Sequence, residues 1–80
     1  MYYIYVLRSL RNGRLYTGST DNIERRLAEH NSGKSKYTRM TRPFVLVYNE
    51  EFKTRSGAYK RELFLKSGKG RESLKALIVK

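Results

Sequence analysis

Three stretches of the chain read as strands, and apolar residues between and after them recur at helical spacing. Tyr2 to Leu10 is rich in β-branched and aromatic residues and predicts a first strand. Asn12-Gly13 follows as a tight-turn pair, and Leu15 to Gly18 returns as a second strand. With Asn12 and Gly13 at the centre of a two-residue turn, Tyr5 would lie opposite Thr20 and Tyr16 opposite Ser9, both phenols on one face. A single bulge would reverse that facing. Asp21-Asn22-Ile23-Glu24 has the form of a capping box, which predicts a helix from about Asn22 to His30, ended by Asn31-Ser32-Gly33. Lys34 to Arg42 is a polar, basic loop. Pro43 then reopens an extended run, Phe44 to Tyr48, and Glu50-Glu51 end that strand. Thr54 or Ser56 caps a second helix reaching about Ser67. Gly68 and Gly70 break the chain. A short last helix, Glu72 to Val79, turns Leu74, Leu77 and Ile78 inward.

The order β-β-α-β-α-α makes this an α/β (α+β) protein, with a small, mostly antiparallel three-stranded sheet flanked by helices. Eighty residues form a single domain, 1–80. A chain this small buries only ~60% of its unfolded surface, so its stability is expected to be slight.

Composition narrows the chemistry. Cysteine is absent, which removes disulfides, thiolate nucleophiles and cysteine-bound zinc, and a single histidine rules out a multi-histidine cage. The apolar start, Met1 to Leu7, is too short and too tyrosine-rich for a signal peptide, and no stretch approaches a membrane span. A soluble, cytoplasmic protein is the expectation. Eighteen Lys and Arg face seven acids, a net charge of +11. That excess suggests a polyanionic partner, nucleic acid first and an anionic membrane face next, or else a solvated surface. Neither short helix joins a broad apolar face to a basic one, which weakens the membrane reading.

In the first helix Ile23, Leu27 and His30 share a stripe, with Arg26 at its edge one turn before His30. Arginine and histidine so placed could grip and polarise a phosphate. They could equally be a surface arginine and a half-buried histidine bonded to a carbonyl. In the second helix Glu62 falls between Ala58 and Leu65, on the inward face. A carboxylate there needs a partner: an ion pair with Lys66 or Arg26, or a metal ion. Asp21 and Glu24 are taken by capping, and Glu29 and Glu72 look outward. Two-metal hydrolysis needs several convergent carboxylates, so metal chemistry here would use one hard ion, such as Mg²⁺, and water as the nucleophile. The base would be His30 or a tyrosine whose pKa of ~10 is lowered by nearby positive charge. Lys34, Lys36, Tyr37, Arg39 and Arg42 interleave cations with an aromatic, which suits phosphate tracking and base stacking, or an ordinary solvated loop.

With these residues in view, the chain resembles the GIY-YIG nuclease domains, in particular their small stand-alone subgroup. Tyr3-Ile4-Tyr5 stands in place of the first motif and Tyr16-Thr17-Gly18 in place of the second; Arg26, His30 and Glu62 follow in the family's order. The resemblance implies a three-stranded antiparallel sheet flanked by helices, and phosphodiester hydrolysis in DNA, or RNA, with one divalent cation, Mg²⁺ or Mn²⁺. It implies that Glu62 holds the ion, that Arg26 stabilises charge on the phosphate, and that Tyr5 is the general base or water-orienting phenol. Tyr16 and His30 would position water or phosphate, and Gly18 would allow close backbone approach to the nucleic acid. Tyr3 replaces a glycine and Thr17 an isoleucine. Many members also carry an asparagine after the glutamate helix, and Lys69 to Lys75 holds none. The alternative is therefore a non-catalytic nucleic-acid-binding module on the same fold. With no room for a recognition domain, specificity would come from substrate structure or from a protein partner. Tyr48 and Phe52, read as surface aromatics, leave monomer and weak dimer both open.

Overall fold

A computed structural model describes residues 1–78. The strands β1 (Tyr2–Ser9), β2 (Leu15–Thr20) and β3 (Phe44–Phe52) form an antiparallel sheet in the order β2-β1-β3, so the most apolar strand is central. Helices α1 (Ile23–Asn31), α2 (Arg55–Lys66) and α3 (Gly68–Ile78) complete the expected order. Val79, placed in the last helix from sequence, lies outside the described residues.

Alternation along β1 divides the interior in two. Ile4 and Val6 point to one face and pack on Ala58, Leu65 and Leu74 of α2 and α3. Tyr5 and Leu7 point to the other, where Phe44, Tyr16, Ile23 and Leu27 meet them. Each fully buried aliphatic side chain contributes about 1.5–3 kcal/mol, so β1 holds the two half-cores together.

The hairpin differs from the two-residue turn. Leu10 to Gly13 form a four-residue loop closed by Ser9 N–H to Arg14 O (2.9 Å) and Gly13 N–H to Ser9 O (2.9 Å), with Gly13 alone at positive φ. Ser9 Oγ accepts from the backbone N–H of Arg11 and Asn12, which stabilises the longer loop. Tyr5 therefore faces Gly18 rather than Thr20, and Tyr16 faces Leu7 rather than Ser9. The shift is an even number of residues, so both phenols keep the same face.

In β3 a register shift opposite Val6 and Leu7 changes which side chains point where. Phe44 and Tyr48, four residues apart, would share a face in a regular strand. The shift puts Phe44 on the α1 side, while Tyr48 and Phe52 pack against the α2 core and are not free surface aromatics.

Four expectations about the helices change. Asn22, not Asp21, caps α1: its side chain accepts from Arg25 N–H, and Asp21 pairs with the Arg25 guanidinium at 2.6 Å instead. Glu29 does not simply face solvent, because it binds Arg26 at 2.9 Å. Gly68 and Gly70 do not break the chain but begin α3, and Leu77 faces outward. Thr54 caps α2 as expected, through Gly57 N–H. A Cβ at Gly70 would stand 1.8 Å from the carbonyl oxygen of Phe64, so glycine is needed there for α3 to pack on the end of α2.

Candidate active site

On the α1 face of the sheet, Tyr5 from β1, Tyr16 from β2 and His30 from α1 meet. Tyr5 Oη and His30 Nε2 are 3.1 Å apart, and the Tyr16 and His30 rings meet edge-on at 4.9 Å. The two phenol rings are 6.4 Å apart. The stripe read along α1 places His30 here, but its partners are hydroxyls rather than a carbonyl. Its Nδ1 lies 2.6 Å from Thr38 Oγ1, and His30 and Thr38 are both almost wholly buried. Tyr5, His30 and Thr38 thus form one buried hydrogen-bonded chain. Gly18 makes room for it: a Cβ there would come within 2.5 Å of Tyr5 Oη.

Burial pushes the Tyr5 phenol up to about 12, and the neighbouring Arg26 guanidinium only partly offsets this. That is the opposite direction from the one a lone tyrosine base requires. Burial, reinforced by the positive charge of Arg26, lowers the pKa of His30, so its imidazole is neutral at physiological pH. Arg26 is itself held by Glu29, which fixes the direction of the guanidinium.

Glu62 belongs to α2 and approaches from the opposite face. Successive side chains of β2 alternate, so Gly18 faces the phenols and Ser19 faces α2, where its hydroxyl donates to Glu62 Oε1 at 2.7 Å. The carboxylate is still near enough for its charge to add to the upward push on the Tyr5 phenol. Glu62 is only 12% exposed, on the same inward face as Ala58 and Leu65, as its position along the helix indicated. Of the two partners left open, the structure shows the ion pair: Lys66 Nζ donates to Oε2 at 2.6 Å. Lys66 is itself half exposed. Among the described residues no three His, Cys, Asp or Glu converge as a cation cage. One carboxylate with hard oxygen donors nevertheless fits an ion that keeps most of its water shell, provided the Lys66 ammonium gives way.

The basic loop lies beyond His30. Gly33 takes a positive φ of 84°, its carbonyl accepts from Arg39 Nε at 3.0 Å, and Arg42 lies against it. Those contacts draw Arg39 and Arg42 back toward the end of α1. Lys34, Lys36 and Tyr37 face outward, Tyr37 at 89% exposure. Arg39 to Thr41 form a short 3-10 turn that the sequence did not suggest.

Thr38, Ser19 and Asn31 were not singled out as site residues from sequence. Thr38 was one of several loop hydroxyls, and nothing in its neighbours marked it as buried. Ser19 directly follows the second motif, and the alternation of β2 against an inward Glu62 was the clue that would have found it. Asn31 binds Phe44 through both of its side-chain polar atoms, N–H to Oδ1 at 2.6 Å and Nδ2 to the carbonyl at 3.1 Å, and so ties the end of α1 to β3.

A three-stranded sheet thus carries paired phenols with an arginine and a histidine beside them, and a glutamate reached through Ser19. The chain belongs to the GIY-YIG family, matching the description "GIY-YIG catalytic domain" over residues 1–75, and hence to a nuclease superfamily. Within that family it is similar to small proteins named UPF0213. A UPF0213 protein of Staphylococcus haemolyticus is 44% identical over 77 residues, covering 95% of this chain and 93% of that one. A UPF0213 protein of Natronomonas pharaonis is 49% identical over 67 residues, covering 82% and 78%. The solution structure of a Bacillus halodurans UPF0213 protein has 38% sequence identity and a TM-score of 0.56, covering 96% of this chain and 85% of that one.

Proposed function

We propose that this protein is a divalent-metal-dependent nuclease that hydrolyses phosphodiester bonds in DNA, choosing its substrate by structure rather than by sequence. The hydrogen-bonded chain Tyr5–His30–Thr38 beside Arg26 carries this reading. In the tautomer that donates Nδ1–H to Thr38, His30 Nε2 accepts the Tyr5 hydroxyl proton. A water positioned by Tyr5 and Tyr16 gives its proton to the Tyr5 oxygen as the Tyr5 proton passes to Nε2. Tyr5 then never has to exist as a free phenolate, which its raised pKa would disfavour. The water oxygen forms the new bond to phosphorus, the bond to the leaving sugar oxygen breaks, and that oxygen takes a proton from solvent. Arg26, steered by Glu29, stabilises the charge that grows on the phosphate oxygens. A divalent ion such as Mg²⁺ or Mn²⁺, held by Glu62, would add Lewis-acid polarisation of the phosphate.

Lys34, Lys36 and Tyr37 offer an outward, cationic and aromatic surface for the nucleic acid, with Arg39 and Arg42 nearer the end of α1. The same surface serves RNA as well as DNA, and a specificity-giving partner in the cytoplasm fits so small a domain. Among the described residues no helix is long and apolar enough to cross a membrane.

The Lys66–Glu62 ion pair is the observation favouring the second reading, a nucleic-acid-binding module without catalysis. End-labelled single-stranded, duplex and branched DNA, with RNA alongside, separates the two. Wild-type cleavage with Mg²⁺ or Mn²⁺, abolished by EDTA and by Glu62→Ala, is the expected result. Binding without cleavage across all substrates and ions would favour the module, and equal cleavage by Glu62→Ala would remove the metal role of Glu62.

A further inference from the structure

A second cavity lies at the hairpin end of the sheet. It is a cleft of about 820 Å³ between the β1–β2 hairpin and the helices α2 and α3. Five cations line it: Arg8 and Arg14 from the hairpin side, and Lys66, Arg71 and Lys75 from the helices. No acidic residue lines it, and Lys66 alone of the five is in an ion pair among the described residues. The floor is apolar, built by buried Leu65 and Leu74, with Leu15 at 38% exposure toward the rim.

Concentrated like charge costs folding energy by self-repulsion, and a polyanion in the cleft would relieve it. Tyr16 and Thr17 of the second motif also line this cleft, and Lys66 links it to the Glu62 carboxylate. Tyr16, Leu15 and Arg14 border a smaller cavity of about 220 Å³ on the phenol side as well, where Thr38 and Tyr37 contribute. The start of edge strand β2 thus borders both recesses. The volume suits a drug-sized ligand, which corresponds to a nucleotide or two of one strand and not to a duplex.

We propose that this cleft is a binding track for a single nucleic-acid strand that runs from the active centre over β2 and along α3. Its phosphates meet Arg8, Arg14, Arg71 and Lys75, and its sugars and bases rest on the Leu15 rim. The track rests on the nuclease reading above and deepens it by giving the substrate a second surface besides the Lys34–Arg42 loop. A flap, an overhang or a frayed end supplies such a strand, whereas an intact duplex does not.

The test is the binding of a fluorescent single-stranded DNA 20-mer in EDTA, followed by anisotropy across a salt series. Arg71→Gln with Lys75→Gln removes two exposed charges on α3. The slope of log affinity against log salt should fall by roughly 1.4, about 0.7 per lost phosphate contact on a single strand. Affinity at low salt should drop about tenfold, and Arg8→Gln, on the other wall, should lower the slope by about half as much. Arg8→Gln reads the same cleft independently if the α3 double variant melts early. An unchanged slope in folded variants overturns the track, even if the wild type cleaves DNA. A reduced slope supports it even if no cleavage is seen, so the two proposals fail separately. Binding of polyglutamate that is lost in the variants while DNA binding persists would assign the cleft to an acidic protein and also overturn it.

Discussion

The hydroxyl of Tyr5 rests against the backbone of Gly18, on the neighbouring strand, where a Cβ would come within 2.5 Å of it. The absence of a side chain at one position thus sets where the other's phenol lies. Gly18→Ala must push Tyr5 Oη away from His30 Nε2. Overpacking of this kind costs about 1–3 kcal/mol. A displacement of about 1 Å at a reacting group costs on the order of 100-fold in rate. Urea melts should show the modest stability loss and single-turnover cleavage the much larger kinetic one. A variant cleaving at the wild-type rate would mean that Tyr5 is not where the proton goes.

Lys66 occupies Glu62 Oε2, so a divalent ion held by Glu62, as proposed above, would compete with the ammonium for that oxygen. Lys66→Met keeps the apolar stem and deletes the ammonium. A half-exposed ion pair contributes up to about 1 kcal/mol, equivalent to roughly a fivefold change in affinity. Mn²⁺ bound in the absence of DNA, followed by water-proton relaxation, should therefore tighten about fivefold. Weaker Mn²⁺ binding in this variant would show that Lys66 supports the site instead of obstructing it.

His30 gives stability a dependence on pH with a definite sign. Its folded pKa is lowered below 6.5 by burial and by Arg26, so between that lower value and 6.5 the unfolded chain binds more protons than the folded one. The contribution is complete above pH 6.5 and is lost as pH falls below it. The lowered carboxylates of Asp21, Glu29 and Glu50 start from 3.8 or 4.5, so their loss begins lower. Between pH 6.5 and 5 the decline in unfolding free energy should therefore belong to His30. His30→Gln should be less stable at pH 7 by about 1–3 kcal/mol, for its broken buried hydrogen bonds, and nearly flat over the same interval. A wild-type profile flat from pH 7 to 5 would contradict the buried, neutral imidazole.

The order of the elements was legible because β1 is a run of β-branched and aromatic residues and α1 carries an apolar stripe at helical spacing. The same periodicity placed Glu62 on an inward face, though it could not choose between Lys66 and a cation as partner. Local chemistry misled where two residues competed for one task. Asp21 and Asn22 both make good caps, and only the pairing of Asp21 with Arg25 leaves the cap to Asn22. Ser9 supplied the loop hydrogen bonds that displaced a two-residue turn, a tertiary choice invisible in Asn12-Gly13 itself. Gly70 looked like a helix breaker because propensity counts its entropy and not the neighbour it must avoid. The facing of Phe44 depends on a register shift that has no sequence marker, and the burial of Thr38 on how the loop folds over His30.

The contact between Gly70 and the Phe64 carbonyl leaves α2 and α3 no clearance to slide past one another. Their joint is therefore set by backbone against backbone, which fixes how the face carrying Glu62 is offset from the one carrying Arg71 and Lys75. A side chain at position 70 would alter that offset without touching either set of charges.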